Sequence, residues 1–116
     1  MTPETLTVDS RDFADHGRLV TAVGEIDHDT AGRLRAVIDE ALADGRVHVV
    51  LDVAGVTFCD SGGLNLFVDA HRRTAARNGW FRLAAVSGSV RAVVDATNLD
   101  RYLAIYSDVE TALDGD

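Results

Sequence analysis

The run Val47-His48-Val49-Val50-Leu51-Asp52-Val53 is almost unbroken in β-branched and aliphatic residues, and it limits the fold more than any other stretch. A strand that is apolar on both faces has to be covered on both. That is the pattern of a central strand in a largely parallel sheet with helices packed around it. His48 within the run reads as a packed or edge histidine rather than a ligand.

The flanking segments supply the partners for such a strand. Leu6–Asp9 alternates apolar and polar residues, and Arg18–Val23 is a short β-type run. The polar stretch Arg11–Gly17 between them reads as the loop of an antiparallel hairpin. Asp29 or Thr30 is suited to cap a helix. Ala31, Leu34, Val37, Ile38, Ala41 and Leu42 then recur at helical spacing, and Asp44-Gly45 ends the helix. Ala54-Gly55 is expected to break the central strand, with Val56–Cys59 returning to the sheet end.

A second helix is expected from Ser61, with Leu64, Phe67, Val68, His71 and Ala75 on its buried face. Arg72, Arg73 and Arg77 place positive charge at its C-terminal end, where the helix dipole favours cations. Trp80–Val86 is a further strand. Ser87 or Ser89 is expected to cap a short helix through Val90, Val93 and Val94, and Leu103–Tyr106 forms a last strand. Ser107 is expected to cap a final turn over Asp108–Leu113, ahead of a frayed tail. The fold class is therefore α/β: one domain over residues 1–116, with a mixed, mostly parallel sheet of about five strands and helices around it.

Charge narrows the partners. Of the 116 residues, 11 are basic, all of them arginine, against 19 acidic, giving a net charge of −8. Nucleic acid and anionic membrane surfaces both require clustered positive charge, so neither is an expected partner. The N-terminus, Met1-Thr2-Pro3-Glu4, lacks the basic start and apolar stretch of a signal peptide. The single cysteine, Cys59, fits a reducing compartment. The expected location is the cytoplasm.

The chemistry concentrates in Val56-Thr57-Phe58-Cys59-Asp60-Ser61-Gly62-Gly63-Leu64, where an apolar run turns into a helix. Ser61 could act as a nucleophile, be modified, or cap the helix. Asp60-Ser61-Gly62-Gly63 resembles the surroundings of the nucleophile in trypsin-like proteases, but those enzymes need two β-barrels. It also resembles part of the Gly-x-Ser-x-Gly nucleophile elbow, with Cys59 in the place of the first glycine. A triad would still need a base, and His28 is the only histidine expected at that end. No enzymatic activity is therefore expected. Asp27-His28-Asp29 offers consecutive ligand-type residues that do not converge on a metal, and no glycine-rich nucleotide loop with its lysine is present. No metal or cofactor is expected. Cys59 reads as a buried structural residue rather than a reactive thiol.

Two readings of Ser61 remain, a helix cap and a modified residue, and the residues by themselves favour the cap. Phosphorylation adds roughly −1.5 to −2 charges at pH 7. A helix N-terminus tolerates that charge inside the fold, whereas an interface built for a neutral hydroxyl does not.

Two motifs together carry a resemblance over essentially the whole chain. Gly24-Glu25-Ile26-Asp27-His28-Asp29-Thr30-Ala31, followed by Asp60-Ser61-Gly62-Gly63-Leu64, resembles the anti-sigma factor antagonist family of stand-alone bacterial STAS domains. Gly-Glu-hydrophobic-Asp precedes the first helix there, and Asp-Ser-Ser/Thr-Gly-Leu opens the second. The resemblance implies that the unphosphorylated chain binds an anti-sigma factor with serine kinase activity and so releases the sigma factor. Phosphorylation at Ser61 would end that binding, and a serine phosphatase would restore it.

The implied partner-binding residues are Asp27, His28, Asp29, Asp60, Ser61, Gly62, Gly63 and Leu64. Two positions depart from the pattern: Gly62 stands for the usual Ser or Thr, and Asn65 for a frequent glycine. Gly62 is expected to loosen the helix entry by under about 1 kcal/mol. The alternative reading is a STAS scaffold module that binds a nucleotide or another regulatory protein without being phosphorylated.

Overall fold

The central run does become the middle of a five-stranded sheet. The computed structural model describes residues 5–86 and 88–114. The strands are β1 (Leu6–Phe13), β2 (Gly17–Ile26), β3 (His48–Cys59), β4 (Trp80–Ala84) and β5 (Ala104–Tyr106), and they lie in sequential order across the sheet. Only β1 is antiparallel to its neighbour; β2 to β5 run parallel. Helices α1 (Ala31–Ala43), α2 (Ser61–Ala75), α3 (Gly88–Thr97) and α4 (Val109–Asp114) connect and follow the strands. No helix among the described residues is long and apolar enough to cross a membrane.

Strand alternation divides the apolar residues into two layers. Val20, Ala22, Val49, Leu51, Val53, Phe81 and Leu83 pack beneath Leu34 and Ile38 of α1, Leu66 and Phe67 of α2, and Val90 and Val94 of α3. Leu19, Val50 and Ala84 face the other way, against Ala112 of α4. The β3 run is apolar on both faces because helices lie on both. Across the α1–α2 seam, Arg35 bonds Asp69 at 2.7 Å and Arg73 pairs with Asp39. Such exposed pairs contribute at most about 1 kcal/mol each, so the apolar layer holds the two helices together.

Four expectations are revised. β1 continues through Phe13, so the hairpin loop is only residues 14–16. β3 is not broken at Ala54-Gly55. It runs on to Cys59, and the extra residues appear as shifts in its pairing with β2 between Thr21 and Val23 and between Gly24 and Glu25.

The buried face of α2 is Gly63, Leu66, Phe67, Ala70 and Thr74, one position around from the expected one. Gly63 fixes that rotation. A side chain there would lie 2.5 Å from Cys59 Sγ and 2.9 Å from Ile26 Cγ2, so the bare backbone packs on the core. Thr74 is tolerated inside because its hydroxyl donates to the Ala70 and His71 carbonyls. Finally, Asp108 rather than Ser107 caps α4, accepting from the Thr111 N–H at 2.7 Å.

His48 is a packed histidine, as expected. It stacks on Trp80 with ring centroids 4.8 Å apart and planes within 4°. Ser89 lies inside α3, where its hydroxyl donates to the Thr57 carbonyl. The Ser87 cap, the Met1–Glu4 segment and the last tail residues, 115–116, fall outside the described residues.

Candidate functional site

Two turns meet at the carboxyl ends of β2 and β3, where open α/β sheets collect their sites. The backbone joins them directly, because the Asp60 N–H donates to the Ile26 carbonyl at 3.1 Å. One turn carries Asp27 to Thr30, the other Asp60 to Gly63.

The Asp27 turn is held by its own polar groups. Asp27 Oδ1 accepts from the N–H groups of Asp29 and Thr30, each at 2.9 Å. The Asp27 carbonyl accepts from the Ala31 N–H at 2.8 Å, which starts α1. Thr30 precedes the helix, as expected, but it makes no side-chain cap bond. Its buried hydroxyl donates to the Glu25 carbonyl and accepts from the Asp27 N–H, both at 2.9 Å. The donors on Asp27, led by the Thr30 N–H and followed by the Asp29 N–H, hold its carboxyl below the usual aspartate range. Asp27 is therefore a fixed anion that shapes the loop. His28 and Asp29 project from the turn and are exposed, with His28 Nε2 3.9 Å from Asp29 Oδ1.

The second turn corrects the capping assignment. Asp60, not Ser61, is the N-cap of α2, and its Oδ1 accepts from the Gly62 N–H at 2.8 Å. Ser61 is the first helical residue. It is exposed, and its hydroxyl makes no hydrogen bond to another described residue. With the capping role filled by Asp60, the Ser61 oxygen is free for an outside group. No side-chain base hydrogen-bonds it among the described residues.

Gly62 does not loosen this entry. A Cβ there would stand 2.8 Å from the His28 N and Cα and 3.0 Å from the His28 Cβ. The glycine is what lets the Asp27 turn close against the start of α2, so Asp27, His28, Asp29, Asp60, Ser61 and Gly62 form one surface. Gly63 is buried behind it, and Leu64 is half-buried against the core.

Cys59 lies beneath this surface, 4% exposed. Burial, and secondarily the Asp60 charge, push its thiol up to about 11. It stays protonated at neutral pH and packs as an apolar group. Phe58, two positions before Asp60, is 45% exposed, one of few large apolar side chains left open. Its exposure follows from the pairing shift beside it, which takes it out of the simple alternation of β3 and leaves no signal in the local sequence pattern.

The STAS domain family matches residues 10–112. The chain belongs to that family. This STAS domain is 31% identical over 115 residues to the anti-sigma-F factor antagonist RsfB of Mycobacterium tuberculosis, covering 97% of this chain and 91% of that protein. It is 28% identical over 96 residues to the anti-sigma F factor antagonist of Paenibacillus polymyxa, covering 82% of each. Its fold superposes on the crystal structure of an anti-sigma factor antagonist from Mycobacterium paratuberculosis with a TM-score of 0.85. That match has 28% identity and covers 97% of this chain and 95% of the other.

Proposed function

We propose that this STAS domain is an anti-sigma factor antagonist. Its binding surface is formed by the Asp27 turn and the start of α2, and phosphorylation of Ser61 switches it off. The observation that carries the reading is the Ser61 hydroxyl: exposed, without an internal partner, and adjacent to an aspartate that already caps the helix. The relatives named as antagonists support an anti-sigma factor as the class of partner. That this partner is a serine kinase, and that a serine phosphatase completes the cycle, are parts of the same proposal.

The switch works through charge. A phosphate on Ser61 joins Asp27, Asp29 and Asp60 on one surface. Within the fold, the N-terminal dipole of α2 offsets part of the new charge. At an interface the charge has to be desolvated against a partner surface that fitted a hydroxyl, and like-charge or unpaired contacts of that kind cost on the order of several kcal/mol. The fold is retained and the complex is lost. In this reading the protein works as a single domain in the cytoplasm, as a regulator rather than an enzyme.

Incubation with a cognate anti-sigma kinase and ATP tests the modification. The expected result is one phosphate, localised to Ser61 by tandem mass spectrometry and absent from Ser61→Ala. An unchanged intact mass with an active kinase contradicts it.

A further inference from the structure

The outer edge of β1 has a register that matches a second copy of itself. The Glu25 N–H donates to the Thr5 carbonyl, and the Leu6–Gly24 pairing places Thr5 opposite Glu25. Thr5 therefore turns its backbone polar groups towards β2. By alternation Thr7, Asp9, Arg11 and Phe13 do the same, while Leu6, Val8, Ser10 and Asp12 turn theirs outward. The Leu6 carbonyl is taken by Arg33 Nη1. The backbone groups of Val8, Ser10 and Asp12 have no partner among the described residues. The open stretch of edge is thus three outward-facing residues centred on Ser10.

We infer that this edge pairs antiparallel with the same edge of a second copy, about a two-fold axis through Ser10, joining the two sheets across a homodimer. The side chains argue for that occupant. An axis at Ser10 places Val8 opposite Asp12 of the other copy, which continues the hydrogen-bonding alternation without a slip. It also sets Asp9 opposite Arg11 twice, once on each side of the axis. Residues directly opposite in such a ladder have Cβ atoms about 4.5–5.5 Å apart, within reach of an ion pair.

In the single chain Asp9 and Arg11 are both exposed, and neither side chain has an ion pair or hydrogen bond among the described residues. The arginines bordering this strand are otherwise engaged: Arg18 binds Asp12 and Asp44, and Arg46 binds Asp12. Asp9 and Arg11 also line a shallow depression of about 90 Å³ with Ser10, Leu19 and Thr21, on the sheet face opposite α1 to α3. The surface is polar and small, so the contact belongs with weak, reversible interfaces.

Sedimentation velocity on the full chain, from about 10 µM to about 1 mM, reads this contact in the range where weak interfaces dissociate. The wild type is expected to dimerise, and Asp9→Arg or Arg11→Asp to weaken the dimer by about tenfold or more, because each places like charges opposite one another. The two single variants, when mixed, are expected to associate with each other, since one then presents two arginines against two aspartates. Amide exchange on the wild type adds a measurement free of substitutions: the Ser10 N–H should gain protection as concentration rises. A monomeric wild type at the highest concentration overturns the inference. So does a dimer indifferent to either charge reversal, a mixture that stays monomeric, or a Ser10 amide whose exchange ignores concentration.

Discussion

Alanine at Gly62 and alanine at Gly32 should shift stability in opposite directions, although both glycines lie near a helix start and both changes add one methyl group. At Gly62 the new Cβ would sit 2.8 Å from the His28 N and Cα, which are backbone atoms of a turn pinned by Asp27 and Thr30. Overpacking of this kind costs about 1–3 kcal/mol. The better helix propensity of alanine returns up to about 1 kcal/mol. The net expectation is a loss of about 1–2 kcal/mol, or a midpoint lower by about 4–8 °C. At Gly32 nothing lies within 4 Å of the new Cβ, so only the propensity remains. Gly32→Ala should raise the midpoint by up to about 4 °C. Thermal and urea unfolding of the two variants beside the wild type measures both. A Gly62→Ala protein as stable as Gly32→Ala would refute the close approach of the Asp27 turn to α2.

Asp60→Ala removes the side-chain cap of α2 and should cost about 1 kcal/mol in urea unfolding, with Ser61 itself untouched. His48 has its pKa lowered by burial first, then by His16 and Arg82. A depressed pKa means the unfolded chain binds protons first. The stabilisation is therefore present above the unfolded value near ~6.5 and lost as pH falls through the folded pKa. NMR titration should place His48 below a model histidine, and His48→Phe should flatten the stability profile on the acid side. Cys59, with its thiol pushed up to about 11, should resist a thiol reagent at pH 8 in the folded protein and react readily in denaturant.

The architecture was legible because β and helical periodicities alternate cleanly and the Val47–Val53 run demands cover on both sides. What escaped the sequence depends on contacts across the fold. The buried face of α2 turned by one position because Gly63 must meet Cys59 and Ile26, and a periodicity count gives glycine no weight. The strand break expected at Ala54-Gly55 became a pairing shift, since continuous pairing with β2 on one side outweighs local turn propensity. Asp60 and Ser61 are adjacent residues that can both cap. Only the extended backbone of Asp60 decides which of them does. The role of Gly62 lies in its close approach to His28, a contact between residues far apart in sequence that the local motif does not carry.

The proposed switch is read most simply from the affinity of the cognate anti-sigma factor for three forms of this chain. These are the wild type, Ser61→Ala, and the protein carrying an encoded phosphoserine at position 61, compared by isothermal titration calorimetry. Encoding the phosphoserine separates the effect of the modification from the question of which kinase installs it. Wild type and Ser61→Ala are expected to bind within roughly threefold of each other, and the phosphorylated form at least ~100-fold more weakly, with its fold unchanged by circular dichroism. Equal affinity for the phosphorylated and unphosphorylated forms would contradict the switch.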